Sequence, residues 1–153
     1  MRDWVAEWQQ EGRLFVWRYA NPRRAALGWH FTADAAGCRS IRNLLDRMKG
    51  GSACYRTLRL DPVTDEVLRW PNLGRKCDGR FARLRLEYRP DATDLSLRPD
   101  DERLVMMVGN RRLRSLCSAF SQVEAGRGDF AIAISDNRKV HRWMFWWMQD
   151  NMS

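Results

Sequence analysis

Lysine is nearly missing from this chain, histidine is scarce, and the cysteines are never close together. Three lysines stand against 24 arginines, and His30 and His141 are the only histidines. No window approaches the roughly 18 consecutive apolar residues that a membrane-spanning helix needs. The opening "MRDWVAEWQQEG" carries acids and glutamines where a secretion signal has an apolar stretch. A soluble, cytoplasmic protein with no membrane association is expected. Cys38, Cys54, Cys77 and Cys117 lie 16, 23 and 40 positions apart without a C-x-x-C pair. Zinc sites draw ligands from close pairs on tight turns, so no metal is expected. Nothing marks a secreted chain, so reduced core cysteines are expected rather than disulfides.

Catalytic signatures are equally sparse. There is no G-x-S-x-G elbow, P-loop, G-x-G-x-x-G or H-E-x-x-H. The glycines of "GGSACYR" (Gly50 to Arg56) and "GRGDF" (Gly126 to Phe130) follow predicted helices. A phosphate-cradling loop precedes one. The acids of "DPVTDE" (Asp61 to Glu66) and "RPDDER" (Arg98 to Arg103) sit in proline-bearing turns, the ordinary place for solvated carboxylates. No cofactor is expected.

What is present suits a folded protein. The 153 residues are 44% hydrophobic and fit one domain, 1–153, with a real core. Two amphipathic helices are predicted, at about Asp34 to Lys49 and Asn110 to Ala125, with apolar residues spaced by three and four. Thr32 or Asp34 can cap the first and Asn110 the second, with Gly50-Gly51 and Gly126 as stops. A shift of 75 positions lays Cys38, Ile41, Leu45 and Met48 on Leu113, Leu116, Phe120 and Val123. Tyr55 falls on Ile132 and Trp70 on Trp147 once two residues are added, and "GRLFVWRY" (Gly12 to Tyr19) resembles "GRFARLRLEY" (Gly79 to Tyr88).

The expected fold is therefore α+β: two pseudo-repeated ββαββ units, about 12–71 and 79–148, joined at Pro71 to Gly79. They would form a mainly antiparallel sheet with two helices on one face. A short N-terminal helix bearing Trp4, Val5 and Trp8 would lie on the other face. "HRWMFWWM" (His141 to Met148) is read as a central or near-central strand, apolar on both faces because both are covered. Ile41, Leu45, Leu116, Phe120, Ile132, Ile134 and Trp146 are expected to be buried.

The triplet His30-Phe31-Thr32 resembles the H-x-[ST] motif of the 2H phosphoesterases, two-lobed proteins in which each lobe supplies such a motif from a strand. The resemblance implies a phosphodiesterase in which His30 and His141 act as general base and acid, with Thr32 holding phosphate. This chain departs from the pattern: Val105 stands at the position equivalent to His30, and His141-Arg142-Trp143 lacks the hydroxyl residue.

A net charge of +8 favours acidic partners. The candidate binding residues are Tyr55, Arg59, Arg83, Arg85, Trp17 and Trp143. Such a surface suits either interface anchors for an acidic protein or base stacking with phosphate contacts. The first choice is a non-enzymatic protein-binding module of the adaptor, inhibitor or immunity type. The alternatives are a nucleic-acid-binding domain and the two-histidine phosphodiesterase.

Overall fold

The computed structural model describes residues 4–19, 28–64, 67 and 81–148, and the backbone of 77–78. The strands are β1 (Leu14–Tyr19), β2 (His30–Ala33), β3 (Cys54–Arg59), β4 (Cys77–Asp78), β5 (Arg83–Tyr88), β6 (Ser96–Asp100), β7 (Arg103–Val108), β8 (Phe130–Ile132) and β9 (Trp143–Phe145). The helices are α1 (Ala35–Met48) and α2 (Asn110–Glu124). The class is α+β.

The strands form two mixed sheets. The first runs β4-β1-β2-β9-β8, and the second β3-β5-β7-β6. Each has one parallel contact, β2 with β9 and β5 with β7; the other pairings are antiparallel. This differs from the expected continuous sheet. The expected units fit no better: β5, read as opening the second, lies between β3 and β7, whereas β1 lies between β4 and β2. Trp70, and the junction apart from Cys77–Asp78, lie outside the described residues.

The helices form where their apolar stripes predict. Asp34 caps α1, its Oδ1 accepting from the Gly37 N–H at 2.8 Å. The same oxygen accepts from the Arg13 N–H at 2.9 Å, tying the start of β1 to the helix. That contact needs Gly12 (φ 73°), where a Cβ would meet the Gly37 nitrogen at 2.1 Å. Asn110 does not cap α2; Gly109 holds that position without a side-chain bond. Asn110 Oδ1 instead accepts from the Tyr88 hydroxyl at 2.5 Å and the Gly50 N–H at 3.4 Å. A carboxamide that reaches across to another element cannot also fold back on its own helix.

Burial raises the Asp34 carboxyl, but the N–H groups of Arg13 and Gly37 and the Arg13 guanidinium outweigh it, leaving the group below its ordinary range. A depressed folded-state pKa contributes stability that is present above the unfolded value and lost as pH falls through the folded one. Asp34→Ala is therefore expected to cost about 1 kcal/mol at neutral pH. The difference from wild type should shrink below about pH 4. Urea midpoints across pH test this, and a constant difference down to pH 2 would refute it.

One core spans both sheets. Val16, Phe31, Trp143 and Phe145 of the first sheet meet Leu58, Leu84, Leu86, Leu104 and Met106 of the second through Ile41, Leu45, Leu116 and Phe120 of the helices. The two helices also pack on each other. Of the expected core, Ile41, Leu45, Leu116, Phe120 and Ile134 are buried, while Ile132 and Trp146 are half-buried.

The far face of the first sheet is closed too. Phe15, Trp17, Tyr19 and Met148 cluster there with Val63, Val67 and Trp146. So β9 is a near-central strand, between β2 and the edge strand β8, covered on both sides, as its composition predicts. The N-terminal segment is not the cover. Trp4–Glu7 are turns rather than a helix, and Trp8 joins the main core, its Nε1 donating to the Ser40 carbonyl of α1 at 2.9 Å.

Candidate binding surface

Strand alternation sends Leu84, Leu86 and Tyr88 of β5 into the core and Arg83, Arg85 and Glu87 to the opposite face. Register then fixes what stands beside them. One row across the sheet reads Arg59, Arg83, Arg103, Asp100; the next reads Thr57, Arg85, Val105, Arg98; the third reads Tyr55, Glu87, Met107, Ser96. Neighbouring strands lie about 4.8 Å apart, so five arginines share a patch about 15 Å wide. Four of the expected residues, Tyr55, Arg59, Arg83 and Arg85, come together here.

The patch is partly organised. Arg85 lies over the Tyr55 ring at 3.7 Å from its centroid and donates to Glu87 at 2.7 Å. Arg103 pairs with Asp100 at 2.8 Å, and Arg59 donates to the Gly12 carbonyl at 2.9 Å. Arg83 and Arg98 are exposed, and neither has a hydrogen-bond or ion-pair partner among the described residues. Tyr55 is 53% exposed, whereas Val105 at the centre is only 3% exposed.

Sequence inspection missed Arg98 and Arg103. "SLRPD" contains proline and no apolar alternation, so it reads as a turn, yet it is the edge strand β6. Only Asp101 (φ 55°) and Glu102 form the turn to β7. The clue was "RLVMMV", whose apolar run needs a partner on each side.

The other expected residues lie elsewhere. Trp17 is 2% exposed within the covered face of the first sheet, and Trp143 is 1% exposed in the main core. Neither can stack on a ligand at the arginine face. Arg56 points the other way, donating to the Val5 and Ala6 carbonyls at 2.7 and 2.8 Å.

The histidines do not meet. His30 is completely buried, stacked between Trp17 (5.6 Å) and Trp146 (6.0 Å) with Tyr19 edge-on (4.9 Å). Its Nδ1 accepts from Trp146 Nε1 at 2.9 Å, and the Thr32 hydroxyl donates to the Trp146 carbonyl at 2.7 Å. His141 is exposed in the loop before β9. Through these bonds His30 and Thr32 tie β2 to Trp146, just past β9.

The thiols of Cys38 and Cys117 are free. Burial, with Glu124 and Asp34 nearby, pushes Cys38 up to about 12; burial and Asp46 push Cys117 to about 11. Thiols so rarely ionised are poor nucleophiles. No group of His, Cys, Asp and Glu able to hold a metal occurs among the described residues. No helix among them is long and apolar enough to cross a membrane.

A groove between the helices holds Arg39, Arg42 and Arg114 with Ser118 and Ser121. However, Arg39 and Arg42 already pair with Glu124, and Asp46 lines the same groove. The arginine face of the second sheet is the stronger candidate. Comparison of the chain with protein-family models, with curated proteins and with solved structures finds no match in any of the three.

Proposed function

We propose that this protein is a non-enzymatic binding module of the adaptor, inhibitor or immunity type that docks an acidic protein on the outer face of its second sheet. The observation that carries this is the gathering of five arginines and an exposed tyrosine on one sheet face left open to solvent. Arginine and tyrosine are the residues most often found as interface anchors. Arg85 and Arg103, held by Glu87 and Asp100, lose little freedom on binding. The free thiols of Cys38 and Cys117 accord with a cytoplasmic setting.

Nucleic acid is the second reading, favoured by the same arginines. Against it stand Glu87 and Asp100 inside the array and Asp101 and Glu102 at its rim, which would repel a continuous polyanion. A single exposed tyrosine, already covered by Arg85, is also a poor stacking platform. Affinity capture from native cells, with and without nuclease, separates the two. An acidic protein that persists after nuclease is the expected result. Recovery of nucleic acid alone would overturn it, above all with log K falling against log salt at a slope of about −4.5 for five neutralised phosphates.

We further propose that the ββαββ repeat holds with its boundary moved, from Pro71–Gly79 to the segment between β5 and β6, so that the halves are β1-β2-α1-β3-β5 and β6-β7-α2-β8-β9 with β4 outside the pattern. In support, β1-β2-β9-β8 and β6-β7-β5-β3 share one pattern of strand directions. The correspondence lays His30 on Val105 and Thr32 on Met107. One half then has its outer face closed by aromatics, and the other keeps it open for a partner.

A further inference from the structure

The second sheet has two edges, and they differ. β6 carries Pro99, which has no N–H to offer and blunts that side. On the β3 side, Leu60 N–H donates to the Ala82 carbonyl, so Leu60 faces β5 and Arg59 faces away. Alternation then turns the N–H and C=O of Tyr55 and Thr57 away from β5 as well. Arg59 is already served: its N–H donates to Gln10 Oε1 at 2.7 Å, and its carbonyl accepts from Gln10 Nε2 at 2.8 Å. One carboxamide thus imitates a neighbouring strand. Nothing among the described residues does so at Tyr55 or Thr57, both exposed.

We propose that an extended acidic segment of the partner adds to the second sheet as a strand along β3, pairing with the backbone of Tyr55 and Thr57. This rests on the docking function proposed above and states how the partner is held. An added strand would run about 4.8 Å from β3, with alternate side chains projecting beside Tyr55, Thr57 and Arg59. Arg83 and Arg85 stand one strand further in. Acidic residues at those alternate positions complement them. At the Tyr55 end the edge opens on a pocket of about 190 Å³ walled by Arg85 and Arg89 together with Glu87, which pairs with both. A second copy of the chain fits worse, since pairing β3 with β3 brings two arginine faces side by side.

The test uses the full chain and a soluble eight-residue peptide alternating Glu and Thr. Binding should slow amide exchange at Tyr55 and Thr57. N-methylating the two peptide nitrogens that face β3 should weaken binding about tenfold or more, while leaving the peptide charge unchanged. Arg83→Glu with Arg98→Glu should weaken it independently. Binding that responds to the arginines but not to N-methylation would overturn strand addition and leave the docking face standing. Binding that responds to neither, or no binding at millimolar peptide, would remove both. Protection at Tyr55 and Thr57 that depends on protein concentration, without peptide, would make a second copy the occupant and overturn the proposal.

Discussion

Phe145→Ala should destabilise the fold by about 3–5 kcal/mol, the largest effect expected of any single substitution. Phe145 is fully buried on β9, an interior strand of the first sheet between β2 and β8. Its ring stacks on Phe31 at 4.9 Å and on Phe130 at 5.6 Å, and Phe120 of α2 meets it edge-on at 5.2 Å. Removing the ring opens a cavity where β2, β8, β9 and α2 converge. Three rings lose a partner at once, each pair contributing about 0.5–1.5 kcal/mol beyond the area it buries. Leu45→Ala, on the buried stripe of α1, should cost about 2–5 kcal/mol. Equilibrium denaturation measures both. A Phe145→Ala midpoint equal to wild type would mean that β9 does not sit at the centre of the core.

Much of this was legible in the sequence because burial leaves a local trace. The stripes of α1 and α2, the Asp34 cap and the Gly50 and Gly126 stops (φ 77° and 79°) are spacing patterns within a few residues. The alternation in Arg83–Tyr88 and the two-sided apolar β9 are of the same kind. Sheet membership is not. That β5 pairs with β3 and β7 is a long-range choice, and the resemblance between Gly12–Tyr19 and Gly79–Tyr88 points away from it. The arginine face was half legible for the same reason. Period two placed Tyr55 and Arg59 together and Arg56 opposite, but Arg98 and Arg103 join them only through the register of a strand disguised by proline. Trp17 was misassigned because an aromatic facing away from the helices reads alike whether that face is open or, as here, closed by Val63 and Val67.

Reversing two charges on the arginine face should abolish partner binding without touching the fold. Arg83 and Arg98 are suited to this because both are exposed and neither has a hydrogen-bond or ion-pair partner among the described residues. Surface substitutions of that kind usually change stability by no more than about 0.5 kcal/mol. At an interface the account differs. An arginine anchor that meets a carboxylate is worth about 2 kcal/mol or more, and a glutamate in its place adds repulsion. Arg83→Glu with Arg98→Glu should therefore weaken the partner about a hundredfold or more. Arg114→Glu with Arg127→Glu gives the necessary comparison, since it alters net charge equally from exposed positions on and just after α2. A basic protein attracting acids through its net charge alone would respond to both pairs alike, and both responses would fade together with salt. A docking face responds to the first pair and is indifferent to the second. Binding measured for the two variants beside wild type, at one ionic strength, decides between them; equal losses would leave the second sheet with no special part in recognition.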